Sequence, residues 1–140
     1  MNAEILKAAL AKDEGRKAKV YMDTLGIPTI GCGRNLQDKG LSNREIDYLL
    51  DNDIAECVAD LTASFAWFST LDEVRQHVLL NMRFQLGPSR FRSFKTFLAA
   101  VARQDYAAAA DAMRFSKWAD QVPTRANRLI EEMRSGVASA

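Results

Sequence analysis

Residues 13–36 read DEGRKAKVYMDTLGIPTIGCGRNL, and this stretch decides the fold of the N-terminal part of the chain. β-forming Val20 and Tyr21 are followed by turn-forming Gly26 and Pro28, and then by further β-forming residues. This order predicts a short, bent β-hairpin. It is the one region of the chain whose pattern is typical of strands.

The residues before this stretch predict a helix. Positions 3–12 carry apolar side chains at helical spacing, with strong helix formers between them. Gly15 then acts as a stop, because glycine readily leaves the helical conformation. Glu14 is therefore expected at the C-terminal end of the first helix.

The pattern from residue 42 onward is helical almost without a break. Ser42 with Glu45, three positions later, forms a capping box that predicts the start of a long helix. Thr70 with Glu73 predicts the start of a central core helix in the same way. Three further residues mark the starts of later helices: Ser93, Asp105 and Pro123.

These elements predict an α+β fold that is mostly α. We expect a small β-containing lobe at about 14–41, a connecting helix at about 42–62 and a helical lobe at about 63–140. Helix 3–13 is expected to pack on the helical lobe. With 140 residues and 15.6 kDa, the chain fits a single domain.

Composition excludes several classes of function. The net charge is only +1, so no strong overall field would draw the chain to nucleic acid or to anionic lipid. The apolar runs near the N-terminus are too short for membrane insertion or a secretory signal, which predicts a soluble cytoplasmic product, with monomer as the default. No cysteine–histidine cluster is present, so we expect no metal or other cofactor.

Three residues in the opening stretch suggest chemistry. Glu14, Asp23 and Thr29 follow one another at spacings of nine and six. Hydrolysis of a glycosidic bond needs a proton donor for the leaving oxygen and a second carboxylate that directs water. Glu14, at the negative end of a helix dipole, suits the donor, and Asp23, on a hairpin near solvent, suits the charged partner.

Thr29 can hold the attacking water if it faces Asp23 across the hairpin. That arrangement requires a loop over residues 24–28, and it predicts inversion with carboxyl groups about 6.5–9.5 Å apart. The spacing alone does not fix the register of the hairpin. The alternative is ordinary, because glutamate and aspartate most often occupy exposed turns without any catalytic role.

Three separated motifs resemble the phage-type lysozymes, a family of glycoside hydrolases that includes phage endolysins. The first motif is Glu14, Asp23 and Thr29 with the surrounding DTLGIPTIGCG, the second is NMRFQLG at 81–87, and the third is SKWADQVPTRANRLIEEMRSG at 116–136. The resemblance spans nearly the whole chain and implies a two-lobed lysozyme-like fold. It also implies that Glu14 is the acid, Asp23 the second catalytic group and Thr29 the water-positioning residue.

The resemblance extends to residues outside the hairpin. Phe84 and Gln85 resemble residues that line the substrate cleft, and Gln121 resembles the polar neighbour of a buried tryptophan. Arg125 resembles an arginine that approaches the catalytic glutamate. These four residues are therefore the candidates for substrate binding.

One position departs from the family pattern. The family commonly has a histidine after TIGxG, paired with an aspartate, whereas this chain has Arg34 there. The counterpart of that aspartate is Asp53. We therefore expect an Arg34–Asp53 ion pair with the same structural task.

The resemblance implies a bacteriolytic muramidase that hydrolyses the β-1,4 bond between N-acetylmuramic acid and N-acetylglucosamine. Its partner is the peptidoglycan glycan strand, which it would reach at the periplasmic cell wall after membrane permeabilisation. Two alternatives stay open: a lytic transglycosylase, and an inactive homologue that binds the cell wall or serves as a structural part. Asp23 and Thr29 favour hydrolysis, since transglycosylation has little use for a water-holding pair.

Overall fold

The computed structural model describes the whole chain, residues 1–140. Helix α1 (Ala3–Glu14) comes first and is followed by strands β1 (Lys17–Met22), β2 (Pro28–Gly31) and β3 (Arg34–Asn35). The strands form one antiparallel sheet in the order β1-β2-β3. The predicted hairpin is therefore confirmed, and a short third strand extends it.

The rest of the chain is helical. After the long helix α2 (Asn43–Ser64) and a 3-10 turn (Phe68–Thr70), six helices follow in sequence: α3 (Glu73–Leu86), α4 (Pro88–Arg92), α5 (Lys95–Ala102), α6 (Tyr106–Arg114), α7 (Lys117–Gln121) and α8 (Pro123–Ser135). This content confirms the predicted α+β, mostly α, fold class. None of these helices has the length and apolar character needed to cross a membrane.

The contacts of the chain divide it into two compact units, Met1–Leu49 and Leu50–Ala140, with the boundary inside α2. Helix α1 belongs to the first unit, and none of its residues is buried. This grouping differs from the predicted lobes, in which helix 3–13 accompanies the helical lobe. That packing stays a prediction.

Two predicted helix starts have different outcomes. The capping box at Ser42 is present, because the Glu45 N–H donates to Ser42 Oγ at 3.2 Å. The start predicted at Thr70 is wrong, since α3 begins after Asp72, whose carboxylate accepts from the Arg75 N–H at 3.0 Å. Thr70 instead ends the 3-10 turn, where its hydroxyl donates to the Trp67 carbonyl.

The hydrophobic core lies in the second unit. Its largest fully buried side chains include Trp118, Phe91 and Phe97, packed among residues of α3, α5, α6 and α8. Phe94 meets Trp118 edge-on, with ring centroids 6.5 Å apart. The indole N–H of Trp118 donates to Gln85 Oε1 at 2.9 Å, so the buried ring keeps its polar group satisfied.

Candidate active site

Glu14 is the last residue of α1. The helix begins at an Asn2 cap, whose side-chain oxygen accepts from the N–H groups of Glu4 and Ile5, and it ends where Gly15 takes a φ of 77°. The Glu14 carboxyl lies against the turn between β2 and β3. Its Oε2 is 3.1 Å from the point that a Cβ on Gly33 would occupy. This exposed carboxyl thus lies at the end of α1, beside the turn, in space that a glycine leaves open.

Asp23 builds the loop between β1 and β2. Its Oδ1 accepts from the N–H groups of Leu25, at 2.8 Å, and Ile27, at 2.9 Å. Its own N–H donates to the Ile27 carbonyl at 3.0 Å, which closes the loop. Its Oδ2 accepts no hydrogen bond from the protein, so one carboxylate oxygen stays available for water or substrate.

Thr29 lies on β2 and is 4% exposed. Its direct partners in the sheet are Tyr21 on β1 and Asn35 on β3. The condition that would place it opposite Asp23 is therefore not met, and the predicted direct facing is wrong. The reason is that Asp23 and Ile27 close the loop themselves, which places Asp23 two residues beyond the partner of Thr29.

The Thr29 hydroxyl has one defined bond. It donates to the Ile27 carbonyl at 2.8 Å, the same residue whose N–H is held by Asp23. Because a hydroxyl oxygen has two lone pairs, Thr29 can still accept a hydrogen bond from a water molecule. Ile27 thereby connects Thr29 and Asp23 through the backbone of the loop.

Arg34, on β3, is tied to the start of α2. Its guanidinium forms an ion pair with Glu45 and donates to the Gly40 carbonyl at 3.2 Å. Hydrogen bonds from Arg34 and then from Ser42 hold the pKa of Glu45 below its usual range. The predicted Arg34–Asp53 pair is wrong, because the capping box already holds the Glu45 carboxylate beside Arg34.

The predicted substrate-binding residues lie in the second unit and separate into two groups. Phe84 and Arg125 line a cavity of about 570 Å³, which is otherwise lined by Leu50, Ile54, Cys57, Val74, His77, Leu80, Asn81, Arg128, Leu129, Glu132 and Ala138. Phe84 is 48% exposed there. Gln85 and Gln121 do not line this cavity. The side-chain Oε1 of Gln85 accepts from the Trp118 indole N–H, and Gln121 is exposed at the end of α7.

Sequence reasoning missed Gly33. A glycine carries no functional group, and the spacing of polar residues gives no indication that the Glu14 side chain lies where a Cβ at position 33 would be. The available indication was the cluster of Gly31 and Gly33 two positions apart, which is typical of backbone held at positive φ or approached closely by another group.

Comparison with known proteins places the chain in a family. The family model described as phage lysozyme matches residues 11–132, which include Glu14, Asp23 and Thr29. The chain is 27% identical to "Probable T4-type lysozyme 1" of Dictyostelium discoideum, with 96% of each chain covered. It is 30% identical to "Endolysin" of Salmonella phage P22, with 81% of this chain and 82% of that protein covered.

A third relative is much longer than this chain. The chain is 31% identical to "Pre-baseplate central spike protein Gp5" of Enterobacteria phage T4, covering 86% of this chain but only 26% of that protein. The similarity thus extends to a part of a much longer protein. With the family model matching most of its length, this chain belongs to the phage lysozyme family of glycoside hydrolases.

Proposed function

We propose that this chain is a muramidase that hydrolyses the β-1,4 bond between N-acetylmuramic acid and N-acetylglucosamine in peptidoglycan. The observation that carries the proposal is the match of residues 11–132 to the phage lysozyme model, with all three candidate groups inside it. Two relatives named as lysozyme and endolysin support the same activity. The glycan strand of the bacterial cell wall is then the substrate.

The proposed mechanism assigns one task to each side chain. Glu14 donates a proton to the leaving glycosidic oxygen, and Asp23 Oδ2 accepts a proton from the water that attacks the anomeric carbon. Thr29 Oγ1 accepts a hydrogen bond from that water. Attack from the face opposite the leaving group inverts the anomeric configuration and requires carboxyl groups about 6.5–9.5 Å apart.

The loop geometry supports this division of tasks. Asp23 uses only Oδ1 to hold the loop, so its second oxygen can serve the reaction without loss of the loop structure. Glu14 bonds to no backbone amide and is exposed, as a group that must approach a polymer has to be. We also propose that Phe84, Gln85, Gln121 and Arg125 contact the substrate.

A charge-matched pair of variants tests the acid. Glu14→Gln removes the proton donor and keeps the shape of the side chain, so the rate of release of reducing ends from purified peptidoglycan should fall by at least about 10³-fold. Asp13→Asn removes a neighbouring exposed carboxylate from the same helix end and should keep activity within about twofold. A Glu14→Gln protein that retains activity contradicts the assignment of Glu14.

Product analysis separates hydrolysis from its alternatives. Mass spectrometry of muropeptides released in H₂¹⁸O should show ¹⁸O at the new reducing end, because hydrolysis adds water across the bond. A lytic transglycosylase would instead release an anhydro-sugar without the label. A cell-wall binding homologue would bind peptidoglycan and release no product.

The site of action follows from the substrate. We propose that the protein is made in the host cytoplasm and acts at the periplasmic wall after the membrane has been permeabilised. An assay on Gram-negative cells with and without a permeabilising agent tests this order. Clearing of the suspension should depend on the agent.

A further inference from the structure

The turn formed by Cys32 and Gly33 between β2 and β3 is in contact with the proposed acid. A Cβ placed on Gly33 would lie 3.1 Å from Glu14 Oε2, 3.5 Å from its Cδ and 3.7 Å from its Cγ. The side chain of Glu14 thus occupies the space beside Gly33 that the Cβ of any other residue would enter. Three of its atoms lie within 4 Å of that Cβ position, so more than the tip of the side chain is involved.

Gly33 differs from the nearby glycines in this respect. Gly15, Gly26 and Gly31 also take positive φ angles, of 77°, 75° and 69°, yet a Cβ on any of them would meet nothing within 4 Å. Gly33 has a φ of 76° and is the one glycine of the first unit whose added Cβ would meet a side chain. Positive φ explains all four glycines, but the space for Glu14 is particular to Gly33.

The turn is also anchored from its other side. Arg34 follows Gly33 directly, and its guanidinium is held by Glu45 and by the Gly40 carbonyl. The backbone pairing of Arg34 with Ile30 closes the turn. A turn fixed at both ends cannot retreat easily when its central residue is enlarged, so the flexible partner, the carboxyl of Glu14, must move.

We propose that Gly33 is a positioning residue that sets the location of the Glu14 carboxyl for proton transfer. This inference rests on the proposed function. A methyl group at position 33 would push Oε2 away by about 0.3 Å to reach an ordinary carbon–oxygen contact. Because a misplacement of about 1 Å can cost about 10²-fold in rate, a displacement of a few tenths of an ångström should lower the rate of the chemical step a few-fold and leave binding of the glycan intact.

The matched pair Gly33→Ala and Gly31→Ala isolates this effect. Both substitutions place a Cβ on a residue at positive φ beside the same turn, so both carry similar backbone strain. Only the first meets Glu14. On purified peptidoglycan, Gly33→Ala should lower kcat about fourfold with KM within about twofold, whereas Gly31→Ala should keep kcat within about twofold.

Crystal structures of the wild-type protein and Gly33→Ala complete the test without an activity measurement. They should show the Glu14 carboxyl displaced by about 0.3 Å or more, with the turn backbone unmoved. An undisplaced carboxyl, an unchanged kcat in Gly33→Ala, or an equal loss in Gly31→Ala overturns the positioning role. If the wild-type protein releases no product at all, the proposed function fails, and a displaced carboxyl would then show that the contact exists without a catalytic role.

Discussion

At the scale of single residues, Asp23 has a structural task in the loop besides its proposed catalytic one. Its Oδ1 holds the N–H groups of Leu25 and Ile27, and its Oδ2 is free. An aspartate in such a turn has a structural reason to be present even in a protein without activity. Loss of activity in an Asp23 variant therefore has to be separated from loss of the loop structure.

Two substitutions of Asp23 separate these tasks. Asp23→Asn keeps an oxygen acceptor for the loop but removes the charge, so activity should fall by at least about 10²-fold while the free energy of unfolding changes by less than about 1 kcal/mol. Asp23→Ala removes both the oxygen acceptor and the charge, so the variant should lose activity and about 1–2 kcal/mol of its free energy of unfolding. Urea unfolding followed by circular dichroism, together with the peptidoglycan assay, measures both quantities. Equal loss of stability in the two variants would contradict the loop role.

The Arg34–Glu45 pair predicts a pH dependence of stability. The folded-state pKa of Glu45 is lowered by the hydrogen bonds from Arg34 and Ser42. A lowered folded-state pKa means that the stabilisation is present above the unfolded-state pKa, near 4.5, and is lost as pH falls through the folded-state value. Thermal unfolding of the wild-type protein between pH 3 and pH 7 should show this loss.

The control for that experiment is Glu45→Gln. This variant removes the titrating group, so its Tm should be lower than that of the wild-type protein at pH 7 and the difference should shrink toward pH 3. A difference in Tm that stays constant over this range would contradict the assignment. Asp53→Asn should leave the pH dependence unchanged, because the partner of Arg34 is Glu45.

At the scale of elements, Arg75 on α3 caps the C-terminal end of α8. Its Nε donates to the Met133 carbonyl at 2.7 Å and its Nη2 donates to the Arg134 carbonyl at 2.9 Å. The guanidinium also lies 3.7 Å from the ring centroid of Tyr106. These bonds satisfy carbonyl groups that have no partner within the helix, and they join α3, α6 and α8.

We expect Arg75→Met to lower the free energy of unfolding by about 2–3 kcal/mol, since two bonds to backbone carbonyls, the ion pair with Asp72 and a cation–π contact are lost while the apolar stem is kept. Arg103→Met is the matched control, because Arg103 is exposed and its contact with Asp105 is long, at 3.6 Å. It should change stability by less than about 0.5 kcal/mol. Urea unfolding of both variants decides whether the cap matters.

Sequence reasoning succeeded at the element scale where the determining contacts are local. The Asp105 cap and the Pro123 start were predictable, because each acts within a few residues of the helix end that it defines. The prediction that Ser93 caps α5 is wrong. Phe94 occupies the cap position, and the Ser93 hydroxyl donates to the Arg90 carbonyl instead. Several residues near a helix boundary can occupy the cap position, and which of them does so depends on the conformation of the preceding turn.

In the candidate site, too, local features were predictable from the sequence and contacts between elements were not. The choice of Glu14, Asp23 and Thr29 came from spacing and family resemblance, neither of which requires coordinates. The partner of Thr29, the partner of Arg34 and the role of Gly33 depend on strand register and on contacts between elements. A shift of register changes every cross-strand pair, so these features could not be predicted from the residues alone.

At the scale of the whole molecule, the stability of helix α1 needs an explanation. It is 12 residues long and has no buried residue, although Ile5, Leu6 and Leu10 are apolar. An isolated helix of this length is marginal in water, because few hydrogen bonds repay the entropy of nucleation. The packing of helix 3–13 on the helical lobe stays a prediction.

Shortening one side chain of α1 tests that packing. Leu10 is 49% exposed in the structure. If it becomes buried, as the predicted packing of helix 3–13 requires, Leu10→Ala should lower the free energy of unfolding by about 2–3 kcal/mol, as for buried leucines. Leu25→Ala, at an 82% exposed loop position, is the control and should change it by less than about 0.5 kcal/mol. A Leu10→Ala effect no larger than the control would show that α1 stays solvated.

The placement of the aromatic residues has a practical consequence for all such measurements. Both tryptophans, Trp67 and Trp118, belong to the second unit, and Trp118 is 2% exposed. Intrinsic fluorescence excited at the indole band will consequently follow the melting of residues 50–140 and remain silent about the hairpin that carries Asp23. A fluorescent label attached to the exposed thiol of Cys32 would report on the first unit, because Cys32 lies in the turn beside Glu14.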